Sequence, residues 1–305
     1  MTTEVHGSTT PEVTVVVPHY GAPGPTLDVC AQLLAQRDVD LEVVVADDAS
    51  PEPIVVPDGV RLVRRDVNGG FAANVNSGLA EARGALCLVL NSDMQLRDRA
   101  VADLVEAARP HQPCLAAPAI TTVDGRWEES RHRWPSPLRT AVSLSRPVPH
   151  LTRIPRVRRW LLESRAVATE GPTPCDWVSG AAFMVPTPVI RSIGGLDEHF
   201  FMYGEDVDLQ RRLRAAGVPS LLFRSVEMAH VGGGSTDPLR ADGWSLQARW
   251  VYAERHGYAR RLRAMLWGTA LVNVLWNVAA RAGGRKVSVR RELRHDVLRA
   301  RGRTY

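Results

Sequence analysis

The sequence predicts an α/β protein: a mostly parallel sheet with helices on both faces, followed by a C-terminal helical tail. Three observations point there. Short β-branched runs (VTVVV, LEVVVA, LCLVL) alternate with stretches of helical periodicity, the pattern of strands joined by helical crossovers. These runs halt at polar residues, at Pro18-His19-Tyr20, Asp47-Asp48 and Asn91-Ser92-Asp93. An apolar fraction of 45% and a charged fraction of 23% over 305 residues belong to a globular chain with a substantial core.

Taken in order, residues 1–11 read as a disordered lead. Val13–Val17 is a strand that ends at Pro18, and Thr26–Gln36 is a helix. Leu41–Ala46 and Val60–Val63 are further strands, Phe71–Arg83 a second helix and Leu86–Leu90 a buried strand. Arg99–Arg109 is a third helix and Cys114–Ala119 another strand. One domain over 12–258 accommodates them. From Arg131 to Pro174 prolines and arginines break the pattern, and only Val157–Leu162 reads as helical. Residues 131–174 are therefore expected to be a long excursion, either a lid or a surface loop. Pattern returns at Cys175–Val185, then a short helix from Thr187, an amphipathic helix to Ala216, and a strand at Val218–Phe223. That strand leads to His230 and a flexible Gly232-Gly233-Gly234-Ser235, and Trp244–His256 is helical.

The tail, 259–305, contains an uncharged stretch, Ala264–Ala280, between Arg260, Arg261 and Arg263 on one side and Arg281 on the other. It falls short of the ~20 residues that span a bilayer. An in-plane helix at an anionic membrane surface fits the basic flanks. A helix packed on the domain, or in a homodimer interface, is the other reading.

Composition narrows the function classes. Met1–Pro11 carries no apolar segment of the kind that directs secretion, and Cys30, Cys87, Cys114 and Cys175 have no paired or metal-type spacing. Reduced thiols in a cytoplasmic protein, peripheral to the membrane if the tail binds it, are expected. The formal charge is +5, with arginine gathered at Arg153–Arg159 and from Arg281 to Arg303, which suggests an anionic partner. Nucleic acid is disfavoured, because aromatics are only 6% and the arginines lie outside any aromatic platform. No GxGxxG or Walker loop is present. No glycine-rich basic loop follows Val17, which weighs against nucleotidyl transfer.

The stretch FMYGEDVDL, Phe201–Leu209, opens the amphipathic helix with three acids. Leu209, Leu213 and Ala216 mark its buried stripe. Asp206 lies seven residues before Leu213 and so at nearly the same azimuth, facing the core side, where it caps into a cleft or acts there. Glu205 and Asp208 lie on the other side and read as surface partners of Arg211 and Arg212, or as acids suited to a helix N-terminus.

In order, the segments VTVVVPHY, VVVADDAS, NGGFAANVNSGLAEARG, LVLNSD, DWVSGAAFMV, GGLDEHFFMYGEDVDLQRRLRAAG and AHVGGGS resemble an inverting family-2 glycosyltransferase with a GT-A-type, Rossmann-like fold. The resemblance covers Val13 to about His256 and is nearest the bacterial rhamnosyltransferase-like branch. Single segments of this kind are common, whereas seven in the family's order are specific.

The resemblance implies roles at matching positions. Pro18 and Tyr20 would lie beneath the nucleotide base, Asp47 and Asp48 at base or ribose, and Asn68, Gly70, Asn74 and Asn76 along the nucleotide cleft. Asn91-Ser92-Asp93 stands at the metal-binding Asp-x-Asp position, with Asn91 replacing the first acid. Asp93 would then be the main ligand to Mn²⁺ or Mg²⁺, with His230 near metal and diphosphate. Trp177, Ser179, Gly180 and Glu205 would line the donor–acceptor junction, and Asp206 would be the general base, kept ionised by its helix N-terminus. The implied partners are a nucleoside-diphosphate sugar and a lipid-linked or polysaccharide acceptor. dTDP-rhamnose is favoured as donor over UDP- or GDP-sugars. A catalytically dead scaffold of this fold is the remaining alternative.

Overall fold

The structure, a computed structural model, describes residues 10–161, 171–232, 238–284 and 286–302. The lead expected over residues 1–11 lies outside them, apart from Thr10 and Pro11, as do Gly233, Gly234 and Ser235.

In chain order the elements are β1 (Val13–His19), α1 (Gly24–Leu34), β2 (Leu41–Asp47), β3 (Val60–Arg64), α2 (Phe71–Glu81), β4 (Leu86–Leu90), β5 (Met94–Gln95), α3 (Ala100–Ala108), β6 (Leu115–Thr122) and β7 (Arg131–His132). Then come α4 (Pro137–Ser143), α5 (Val148–Leu151), α6 (Pro155–Leu161), β8 (Thr173–Cys175), β9 (Trp177–Val178), β10 (Ala182–Pro186), α7 (Thr187–Ser192) and α8 (Glu205–Ala215). The last are β11 (Ser220–His230), α9 (Pro238–Arg255), α10 (Ala259–Ala282) and α11 (Val289–Ala300).

The chain divides into two compact units: residues 1–131, 167–198 and 206–234 form the first, and 132–166, 199–205 and 235–305 the second. The first holds the main sheet, in the order β3-β2-β1-β4-β10-β6-β11-β5, with β8 also paired to β11. Its β3-β2-β1-β4 half is parallel throughout. The other half adds antiparallel pairs to this mostly parallel sheet. β10 runs antiparallel to β4 and β6, and β11 is parallel to β6 but antiparallel to β5 and β8.

Side chains leave a strand alternately on opposite faces, which explains the unbroken apolar runs. Val13, Val15 and Val17 pack with Val29 and Leu33 of α1 and Leu104 of α3. Val16 belongs to the other layer, with Val75 and Leu79 of α2, Ile190 of α7 and Leu209 and Leu213 of α8. The central strands are covered on both sides, so alternation with polar residues there would be destabilising. Pro18 is tolerated inside β1 because the β1–β4 pairing ends at Val16 and Val89, while pairing with β2 continues to His19 and Asp47. All four cysteines are buried and unbridged.

The second unit packs around Leu246, Trp250, Ala253, Leu262, Leu266 and Ala300. It holds structure that hydropathy periodicity did not disclose. The excursion contains α4 and α5 as well as α6, because prolines at Pro137, Pro149 and Pro155 sit in first turns, where a missing N–H removes no helical bond. The arginine-rich tail carries α11, whose Asp296 and Ala300 are buried.

Candidate active site

The sheet's directions bring the predicted residues to one edge. β1, β2 and β4 are parallel, so Pro18-His19-Tyr20, Asp47-Asp48 and Asn91-Ser92-Asp93 leave from the same end. β10 is antiparallel to β4, with Ala182 opposite Leu90, so Ser179 and Gly180 enter at that end too. β6 is antiparallel to β10 and parallel to β11, which returns His230 to the same edge. β1 lies between β2 and β4, and the chain order reverses there. That is where open α/β sheets form a crevice beyond their strand ends.

At the β2 end both carboxylates are held by protein groups. Asp47 is fully buried; it accepts from the Ser50 N–H at 2.9 Å and pairs with Arg64. Burial would raise its carboxyl, but Ser50 and Arg64 outweigh that and hold it below the usual carboxylate value. Asp48 accepts from the N–H groups of Gly69 and Gly70 at 2.9 and 2.8 Å and meets Arg65 Nε at 3.0 Å. It thereby fixes the Asn68-Gly69-Gly70 turn, whose Gly70 stands at φ 85° before α2, a conformation that suits glycine. Asn68 Oδ1 also accepts from Gly70 N–H at 3.2 Å.

Asn74, on α2, ties two strand ends together. Its Nδ2 donates to Ala46 O at 2.8 Å and His19 O at 3.3 Å, while its buried Oδ1 has no protein partner among the described residues. His19 sits behind the edge, Nδ1 against Thr26 Oγ1 at 2.8 Å, and burial lowers its pKa. Tyr20 is 57% exposed, its ring available to a stacking base. Asn76 is placed differently from the cleft residue the resemblance implies. Its amide donates to Leu196 O at 2.9 Å and accepts from Leu196 N–H at 2.9 Å, clasping the turn after α7.

At the β4 end, Asp93 and His230 meet because β5 pairs with β11, setting His230 opposite Met94. Asp93 Oδ1 is 3.2 Å from His230 Nε2, and Glu128 Oε2 is 3.4 Å from His230 Nδ1. The hydrogen bond that His230 donates to the Asp93 carboxylate is the largest influence raising the His230 pKa. Burial opposes a low Asp93 value, but His230 and the N–H groups of Asp93 and Gly232 hold it down. β11 runs seven residues beyond the expected Phe223, through a register irregularity between Phe223 and Glu227, and that extension delivers His230. No sequence signal announced Glu128.

Among the described residues no three His, Cys, Asp or Glu side chains cluster as a metal centre. The donors present still suit a divalent ion shared with a diphosphate. Asp93 and His230 stand together at the strand end, an oxygen and an imidazole donor of the kind that would hold such an ion. Asn91 Oδ1 adds a buried oxygen without a protein partner among the described residues.

The third cluster surrounds Asp206. Its Oδ2 accepts from Gly180 N–H at 2.9 Å and its Oδ1 from Val207 N–H at 2.8 Å. A Cβ at position 180 would stand 3.1 Å from Asp206 Cβ and 3.2 Å from Oδ2, so glycine there admits the close approach. Gln210, fully buried one turn on, holds β9 by both its amide groups, to Val178 N–H at 2.8 Å and Val178 O at 2.7 Å. Ser179 N–H is bound to Ser130 O at 2.8 Å, and Trp177 is half-buried beside them in β9.

Two expectations about this helix are corrected. Glu205 and Asp208 are buried rather than surface acids, and Asp208 pairs with Arg212 at 2.6 Å. Val207 to Gln210 are successively buried, so the first turn of α8 is enclosed; its last turn exposes Arg214 and Ala215, and Ala216, expected on the buried stripe, is exposed too. Asp206 is the acid that keeps partial exposure. Its helix N-terminus does not dominate its ionisation: burial pushes the carboxyl up to about 6, against the N–H groups of Val207 and Gly180. An acid titrating there is mostly ionised at neutral pH and close to the range in which a general base is effective.

A sheet whose strand order reverses beside β1, with polar and acidic side chains gathered at those strand ends, has the architecture of the GT-A type. Comparisons with known proteins agree. Residues 14–168 match Glycosyl transferase family 2, and the chain belongs to that family. It is 29% identical over 269 residues to the N-acetylglucosaminyl-diphospho-decaprenol L-rhamnosyltransferase of Mycobacterium tuberculosis, across 80% of this chain and 85% of that protein. Among solved structures it resembles GalNAc-T7 with UDP, GalNAc and Mn²⁺ (TM-score 0.57, 16% identity), covering 81% of this chain but only 48% of that one. It also resembles the Pyrobaculum calidifontis mannosyltransferase PcManGT with GDP-Man and Mn²⁺ (TM-score 0.53, 17% identity), over 95% of this chain and 80% of that one.

Proposed function

We propose that this glycosyltransferase moves rhamnose, with inversion, from dTDP-rhamnose to a hydroxyl of a lipid-linked acceptor in cell-wall or surface glycan synthesis. Asp206 is the observation that carries the reading. It is a partly exposed carboxylate at the crevice edge that accepts only backbone N–H groups, with no cation paired to it among the described residues. In a single displacement the acceptor oxygen forms the new bond to the anomeric carbon as its proton passes to Asp206. The bond from that carbon to the diphosphate oxygen breaks, and the nucleoside diphosphate leaves with the electron pair. Asn74 Oδ1 is free to accept from the donor, and Tyr20 to stack on its base. Asp93, His230 and Asn91 would hold Mn²⁺ or Mg²⁺, which when bound offsets the charge of the diphosphate.

The rhamnosyltransferase relative, which spans most of both chains, supports the choice of donor and acceptor class. UDP- and GDP-sugars are the alternative donors, since neighbours of this fold bind them. The test is transfer to N-acetylglucosaminyl-diphospho-prenol from dTDP-rhamnose, UDP-GlcNAc, UDP-GalNAc and GDP-mannose, with NMR assignment of the product anomer. Turnover with dTDP-rhamnose at least tenfold above the others, with inverted configuration, is expected. Preference for another donor would overturn the rhamnose reading, and retained configuration would overturn the role of Asp206.

A further inference from the structure

A helix that packs on protein in water ordinarily turns its apolar side inward and its polar side out. Helix α10 does the reverse. Its buried positions include Thr269, Asn273 and Asn277 beside Leu262, Leu266 and Ala270. Its outward positions are Trp267 and Val278, both about half-exposed, and Leu271 and Leu275, each 62% exposed. At 100° per residue these four fall within an arc of about 80°, a continuous apolar strip.

Hydrogen bonds specify this orientation. Asn273 Oδ1 accepts from Arg146 N–H at 2.6 Å, and its Nδ2 donates to Asp296 Oδ2 at 3.1 Å and Leu144 O at 3.3 Å. Thr269 Oγ1 donates to Ala141 O at 3.0 Å. Rotating α10 to bury Leu271 and Leu275 would break all four bonds and leave buried polar groups unsatisfied. The polar side is the anchor, and the apolar side is held outward.

We propose that this face docks the chain on an anionic membrane surface, with α10 lying in the plane of the interface. No described helix is long and apolar enough to cross a bilayer, and the inward bonds of α10 tie one side of it to protein. Charge selects the occupant. α10 carries Arg260, Arg261, Arg263 and Arg281 and no acid, and α11 adds exposed Arg290, Arg291 and Arg294. A second copy of the chain would set these arginines against their own counterparts around an isologous contact. Anionic headgroups instead neutralise them while the acyl boundary receives Trp267, Leu271, Leu275 and Val278.

The proposal does not depend on the donor or on the role of Asp206. Its test is flotation of the full chain with phosphatidylcholine vesicles, alone or with 30% phosphatidylglycerol (roughly the anionic content that gives a strong surface potential). Binding is expected at least tenfold tighter with phosphatidylglycerol and weakened by salt. The exposed-face variant L271E/L275E should lose at least tenfold in binding while its melting temperature stays unchanged. The wild-type chain should also show quenching by brominated lipid that falls in Trp267→Phe, a readout independent of that double variant's folding. Equal binding by L271E/L275E, or no binding to phosphatidylglycerol, would overturn the proposal. So would a wild-type dimer that L271E/L275E dissociates, with no vesicle binding by either.

Discussion

Asp47 and Asp206 are both acids at the same edge of the sheet, burial pushes both carboxyls up, and yet the two move in opposite directions. Asp47 lies below the ordinary carboxylate value because Ser50 and the Arg64 guanidinium stabilise its charge. Asp206 rises to about 6 because only backbone N–H groups oppose its burial, and among the described residues no cation pairs with it. One acid has been neutralised into architecture, bracing the end of β2. The other retains basicity and open lone pairs. Location at a strand or helix end does not separate these cases; the partner set does.

The strongest way to break this contrast is Asp206→Asn. The variant keeps the shape but loses the proton acceptor, so kcat should fall by roughly 10²–10⁴ with donor affinity nearly intact. The wild-type enzyme should lose activity as pH falls through about 6, where Asp206 takes up its proton. Stability should show the opposite sign. The folded chain holds this proton up to about 6 and the unfolded chain only to about 3.8, so stability declines as pH rises between those values. At pH 7 the asparagine variant should melt no lower than wild type and gain up to roughly 1–3 kcal/mol. Near pH 3.5 that difference should vanish. An inactive variant that is also less stable at pH 7 would mean that Asp206 is structural, like Asp47.

Gly180→Ala sharpens the same contrast without touching a charge. The added methyl would meet Asp206 Cβ at 3.1 Å and Oδ2 at 3.2 Å, so the carboxylate must move by a few tenths of an ångström. Because reaction geometry is steep in position, kcat should drop about tenfold while stability changes by less than about 1 kcal/mol. Steady-state kinetics beside a denaturant titration separate the two effects, and an unchanged kcat would mean that Gly180 does not position the acid.

Much of the parallel half of the sheet was legible because its strands are buried on both faces and therefore appear as unbroken apolar runs, as Val13–Val17 and Leu86–Leu90 do. β5 was not, since two residues paired to β11 carry no period. α11 was hidden among arginines, because its burial rests on Asp296 and Ala300 instead of a leucine stripe. Asp93, His230 and Asp206 were singled out in the sequence, yet their partners and ionisation were not legible there. Glu128 reaches His230 across 102 positions, and Gly180 reaches Asp206 across 26, contacts that only tertiary structure creates. The azimuth of Asp206 was read toward the core and that of Asp208 toward solvent, and burial on several sides of α8 inverted their exposure.

Asn76 is the smallest and most discriminating case, because the motif makes it a cleft residue and the geometry makes it a clasp. Both edges of its amide engage the Leu196 backbone, and Leu196 itself is buried. Truncation to alanine leaves the Leu196 N–H and C=O without these partners, a loss of about 1–2 kcal/mol. No atom of the nucleotide site is removed, so the KM for donor should remain within about twofold of wild type, a difference well under 1 kcal/mol. A lowered melting temperature with unchanged KM would assign Asn76 to architecture beside Asp47. A KM raised about tenfold with unchanged stability would instead return it to the nucleotide, and the clasp to Leu196 would then be incidental, because tenfold in KM corresponds to about 1.4 kcal/mol of donor binding.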